Sequence, residues 1–230
     1  MAANGLQTVA AILVAAGAGE RLGADVPKAF VHVAGRTLLE HAAARFVNHP
    51  RVRDVVVAVP AKYVADAGRH VPSASVVVGG ATRQQSVAAG LAQIAEDVDA
   101  VLVHDVARAF VPVDVIDRVL AALDAGADGA VPVVAVTDTI RTYDPTTGEL
   151  GGVVDRNQLR AMQTPQGFRR AALAEAHERG RSTQVTDDVA LLEALGLSVA
   201  AVPGDERAFK ITVPLDLALA EVVAAQSDAA

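Results

Sequence analysis

Residues 9–28 read VAAILVAAGAGERLGADVPK. An unbroken apolar run gives way at Gly17 to a small-residue loop that closes on Pro27 and Lys28. A strand opening into glycines is a way for an α/β protein to bring backbone N–H groups close to phosphate. Three kinds of loop do this, and the residues after the glycines separate them. A dinucleotide fingerprint needs G-x-G-x-x-G and an acid about 20 residues on. Here the third glycine comes one residue late, and Glu40, at a tempting distance, belongs to a helix-capping sequence. A Walker A loop must end in Gly-Lys-Ser/Thr, whereas Lys28 follows a proline. What remains is a glycine loop with two cations, Arg21 and Lys28, and a proline that holds the chain extended before the lysine. Gly17 and Gly19 admit a triphosphate to the backbone, and the cations can neutralise its α- and β-phosphates.

Working outward, apolar β-branched runs recur as VVVAV (55–59), SVVVG (75–79), AVLVH (100–104) and GAVPVVAV (129–136). Continuous runs of this kind suit strands buried on both faces of a parallel sheet. Helical stretches lie between them. TLLE (37–40) and TRQQ (82–85) are capping boxes, each followed by apolar residues at helical spacing. Further helices are expected over 169–179, 187–195 and after Pro214, with a strand near 197–202. The alternation predicts an α/β fold, an open, three-layer, Rossmann-like sheet that is mostly parallel. Residues 1–230 read as a single domain.

The stretch 137–159 breaks the rhythm. Its centre, DPTTGELGG, is rich in turn formers, and the flanks TIRTY and GGVVDR can pair as a projecting β-hairpin arm. Two strands alone are marginal in water, so the arm is expected to pack on a second subunit in a homodimer.

Composition excludes several classes of function. Hydrophobic residues make up 52% and charged residues 20%, the balance of a folded domain. A net charge of −7 argues against a nucleic-acid or anionic-membrane surface. The absence of cysteine removes disulfides, thiolate metal sites and cysteine nucleophiles. The N-terminal apolar run is too short to span a bilayer and has no basic residue before Arg21, so the chain reads as cytoplasmic.

The pattern A-A-G-x-G-x-R-x-G-x-x-x-P-K resembles the sugar-phosphate nucleotidyltransferases. GGATRQQSV (79–87), VHDVAR (103–108), VDRNQLRAMQTPQ (154–166) and FKITVPLDLALAE (209–221) are similar to one branch of them, the 2-C-methyl-D-erythritol 4-phosphate cytidylyltransferases. The resemblance implies transfer of a cytidylyl group from CTP to a sugar-alcohol phosphate, with Mg2+. It implies Arg21, Lys28 and Lys210 as the catalytic cations, and Ala15, Ala16, Gly17, Ala18, Gly19, Gly80 and Ser86 around the nucleotide. Asp105, at the end of an apolar run, suits magnesium at a strand's carboxyl end. Arg108, Thr139, Arg156 and Thr164, with Asp105, are the implied acceptor contacts, Thr139 and Arg156 reaching a neighbouring subunit's site. Ribitol 5-phosphate cytidylyltransferases share the loop, and a non-catalytic nucleotide-binding subunit would share the fold. The family's usual H-D-A-A-R-P stands here as HDVARAF, which adds bulk at Val106 and removes a proline at Ala109. TDDVA (186–190) stands where TDEAS is common, and no catalytic role is assigned to it.

Overall fold

The computed structural model describes residues 6–17, 22–23, 26–183 and 185–227. The first half of the chain runs β1 (Val9–Val14), β2 (His32–Val33), β3 (Arg36–Thr37), α1 (Leu38–Val47), β4 (Val52–Val59), α2 (Val64–His70), β5 (Ser75–Val78), α3 (Arg83–Leu91), β6 (Ala100–Asp105) and α4 (Val113–Asp124). The second half runs β7 (Gly129–Ala135), β8 (Ile140–Tyr143), β9 (Leu150–Val154), β10 (Arg160–Met162), β11 (Gln166–Arg169), α5 (Arg170–Arg179), α6 (Val189–Glu193), β12 (Val199–Pro203) and α7 (Pro214–Ser227).

The strands form an eight-stranded sheet of order β5-β4-β1-β6-β11-β7-β10, with β12 also paired to β7. From β5 to β6 every pairing is parallel, as is β12 on β7. β1 explains why its sequence is apolar at every position. Val9, Ala11 and Leu13 pack into a core shared with α1, α4 and α7, while Ala10 and Ile12 pack into a second core with α3, α5 and α6. Helices thus cover both faces, which is the three-layer arrangement the sequence predicts.

Both capping boxes form. The Thr37 side chain accepts from Glu40 N and the Glu40 carboxylate accepts from Thr37 N, while Thr82 and Gln85 make the same exchange at the start of α3. The unanticipated part is β10 and β11, which run antiparallel along one edge of β7. β11 also fills the gap between β6 and β7. Their sequences, RAM and QGFR, have no strand periodicity of their own, so the pairing comes from the open edges on either side.

The expected arm is present. β8 and β9 form a separate antiparallel ribbon, closed by a turn in which Gly148 adopts φ +76° and donates to Asp144 O at 2.8 Å. Tyr143, Leu150 and Val153 on this ribbon are 60%, 67% and 66% exposed.

Candidate active site

Order in the sheet decides where a ligand can sit. The chain moves from β1 outward to β4 and β5, then returns to β6 on β1's other side, so the loops after β1 and β6 part and leave a crevice at their carboxyl ends. A cleft of about 550 Å3 occupies this place. Ala15, Ala16, Gly17 and Lys28 line it from the first loop, Gly80 to Arg83 and Ser86 from the start of α3, Asp105 to Ala107 from β6, and Lys210 from the segment before α7.

The α3 wall is close-packed. A Cβ on Gly79 would stand 2.9 Å from the Ala16 Cβ, and one on Gly80 would stand 2.2 Å from the Gln85 Cβ. The buried Ser86 hydroxyl holds this turn, accepting from Gly80 N at 3.2 Å and donating to Thr82 O at 2.9 Å. Ser86 therefore shapes the wall, and the packing against Ala16 and Gln85 is what requires glycine at 79 and 80.

The floor is a chain of charges. Asp105 ends β6 with both carboxylate oxygens engaged: Oδ1 accepts from Arg83 Nε at 3.1 Å and Oδ2 from Lys210 Nζ at 2.7 Å. Burial alone would push this carboxyl up; Arg83 and Lys210 outweigh it and hold Asp105 well below the usual carboxylate range. Arg83 also donates through Nη1 to Asp188 Oδ2 at 2.5 Å, and Asp188 Oδ1 lies 2.8 Å from His177 Nε2. Asp188 is 1% exposed; burial works against its charge, but His177 and Arg83 keep it ionised.

Lys28 and Lys210 approach from the same side. Lys28 Nζ donates to Ile211 O at 2.7 Å, and Ile211 N donates to Ala107 O at 2.8 Å, so the 210–211 segment is docked on the loop after β6. Val106 and Ala109 are both buried in the core; Ala109 lies outside the cleft lining, whereas Val106 belongs to it, so the bulk it adds stands beside Asp105.

Of the expected residues, Ala15, Ala16, Gly17, Lys28, Gly80, Ser86, Asp105 and Lys210 converge on the cleft. Arg21, Ala18 and Gly19 lie outside the described residues. Four others sit beyond the cleft lining within one chain. Arg108 donates to Ala208 O at 2.7 Å and Met162 O at 3.1 Å. Thr164 is buried, its hydroxyl accepting from Asp105 N at 3.1 Å and lying 2.9 Å from His104 Nδ1. Thr139 and Arg156 are exposed at the base of the arm, where Arg156 donates to Thr137 O. His104 is buried against Phe46, and burial pushes its pKa down to about 3, so it is neutral and packed. Sequence reasoning missed Arg83, Asp188 and His177. TRQQ reads as a capping box and as part of the family-like stretch GGATRQQSV, and neither reading assigns Arg83 a role.

No cluster of three or more metal-ligating side chains exists among the described residues. Nor is any helix among them long and apolar enough to cross a membrane.

A family model described as 2-C-methyl-D-erythritol 4-phosphate cytidylyltransferase matches residues 9–226. The protein so named in Rhodococcus jostii is 45% identical over 222 residues, covering 96% of this chain and 97% of its own. A bifunctional enzyme IspD/IspF of Clavibacter michiganensis is 47% identical over 223 residues, and the chain spans about half of its length, 54%. The crystal structure of 2-C-methyl-D-erythritol 4-phosphate cytidylyltransferase from Thermus thermophilus superposes with a TM-score of 0.80 at 42% identity, covering 93% of this chain and 98% of that one.

Proposed function

Since the chain belongs to the 2-C-methyl-D-erythritol 4-phosphate cytidylyltransferase family, its reaction is cytidylyl transfer from CTP, and we propose that the cleft described above carries it out. A phosphate oxygen of methylerythritol 4-phosphate attacks the α-phosphorus of CTP; the bond to the β-phosphate bridging oxygen breaks, and pyrophosphate leaves. The attacking phosphate is already ionised near neutral pH, so no enzyme-bound intermediate is needed and catalysis rests on positioning and charge neutralisation. The observation that carries this reading is the convergence of Lys28, Lys210 and Asp105 opposite the Gly80–Ser86 wall.

Lys28, with Arg21, stabilises the crowded α-phosphate in the transition state, and Lys210 supports the phosphates. Asp105 offers one ionised carboxylate whose oxygens each accept a single hydrogen bond and keep a lone pair. That donor set suits Mg2+, which takes one or two carboxylates and fills its shell with phosphate oxygens and water. When bound, the ion would neutralise triphosphate charge. At the other wall, backbone carbonyls near Gly80 accept from the cytosine amine. Uracil presents an acceptor there and leaves the pair unsatisfied, which favours CTP over UTP.

Arg108 and Thr164 lie on the acceptor's side, and Thr139 and Arg156 extend it from the arm of a second subunit in a homodimer. Support comes from the exposed apolar face of the ribbon and from both residues lying outside their own chain's cleft lining. The test is magnesium-dependent pyrophosphate release from CTP with methylerythritol 4-phosphate, with ribitol 5-phosphate in parallel and Lys28→Ala as control. Release with the first acceptor only, lost in the variant, is expected; no release while CTP still binds would overturn the reading. Mixing Lys28→Ala and Arg156→Ala protomers should restore activity, because one hybrid site regains both groups, and failure of rescue would sink the shared site.

A further inference from the structure

Asp105 is bracketed by two cations that are held very differently. The Lys210 side chain is 43% exposed, and its ammonium donates to Asp105 at the mouth of the cleft. The Arg83 side chain is 22% exposed, and its guanidinium spans two carboxylates, Asp105 at 3.1 Å and Asp188 at 2.5 Å. Asp188 cannot rotate away from it, since its second oxygen is taken by His177 at 2.8 Å and the residue is almost fully buried.

A guanidinium lining a cleft built for a triphosphate has a competing partner. Phosphate oxygens match its fork, and a charge-assisted pair would draw it off Asp105. We propose that Asp188 is a positioning residue acting through Arg83: by tethering the guanidinium from behind, it keeps Nε on Asp105 and so fixes the carboxylate's orientation when substrate arrives. Lys210, without such a tether, is the cation that moves to the phosphates. The inference rests on the reading of Asp105 as the magnesium carboxylate. It gives TDDVA, a segment outside the cleft lining, a part in the reaction.

Asp188→Asn removes the charge and keeps the size. The expected result is a kcat lowered about 30-fold with the CTP KM changed less than about threefold, the split of an effect on the transition state. Mn2+ half-saturation with CTP present, read from its EPR signal, should rise about tenfold, because a loosened ligand binds metal less well. Arg83→Gln should cost a similar factor, and adding Asp188→Asn to it should cost less than about twofold more, since the tether then holds nothing. Losses that multiply independently would overturn the proposal, as would a parental kcat per folded molecule in Asp188→Asn. If that variant does not fold, Arg83→Lys carries the test: it keeps a charge for Asp105 but lacks the fork to reach both carboxylates. The same kcat loss and metal shift are expected of it, and parental values would overturn the tether. An unchanged Mn2+ requirement in Asp105→Asn would remove the metal assignment instead, and the kcat cycle between Arg83 and Asp188 would still decide the tether.

Discussion

The cleft and the arm are built on opposite terms. On the cleft floor the described charges answer one another inside the chain: Asp105 is met by Arg83 and Lys210, Arg83 by Asp188, and Asp188 by His177. On the arm, Tyr143, Leu150 and Val153 turn apolar surface outward on a ribbon of two strands, a structure that gains little stability alone. The contrast teaches where a second chain is wanted. The described cleft lining comes from one copy, whereas the arm keeps apolar surface exposed, the surface on which the proposed homodimer would form.

Four experiments would break or sharpen that contrast. Lys28→Ala should slow pyrophosphate release by about 10²–10³-fold, the usual loss for one preorganised charge donor. A loss below threefold in single-turnover assays would detach the chemistry from the cleft. Next in size, Gly80→Ala should strain the α3 wall, because its Cβ would meet the Gln85 Cβ at 2.2 Å. A cost of about 1–3 kcal/mol in urea unfolding is expected for such overpacking, with a raised KM for CTP.

The third concerns acid. His104, ordinarily near 6.5, is held neutral by burial down to about 3. Between those values the unfolded chain binds a proton that the folded chain refuses, so stability falls as pH drops, by up to about 1.4 kcal/mol per unit. Asp105 and Asp188 act in the same direction at lower pH, since their depressed pKa values make the folded state the weaker proton binder. His104→Asn should flatten the upper part of the slope, measured as the urea midpoint from pH 7 to 4; an unaltered slope would assign it to other groups. The smallest effect on folding belongs to the arm. Val153→Asp should change monomer stability by no more than about 0.5 kcal/mol, as exposed substitutions do, yet leave the protein monomeric in sedimentation velocity. A dimer that survives it would move the interface elsewhere.

Much of this was legible in the sequence because the responsible forces are local. β1, β4, β6 and β7 are apolar runs, Thr37 and Thr82 announce the helices they cap, and turn formers mark the arm. Lys28, Asp105, Lys210 and Gly80 were legible as site residues through the motif they share with a family, and the fold then brought them together. β10 and β11 were not legible, because they are strands only by virtue of the edges they meet. The Asp188–Arg83 pair was hidden for a similar reason. The two residues are 105 positions apart, and neither lies in a pattern that demands the other.

The late arrival of β11 also bears on how the protein is made. β6 pairs with β1 on one edge, and its other edge is closed only by Gln166–Arg169, far later in the chain. At roughly 5–20 residues per second, a nascent chain leaves that edge unpaired for several seconds after β6 has been synthesised. An unpaired apolar edge is a template for wrong partners. During translation the hazard therefore lies in the middle of the sheet, and a ribosome stall between β6 and β11 would prolong it.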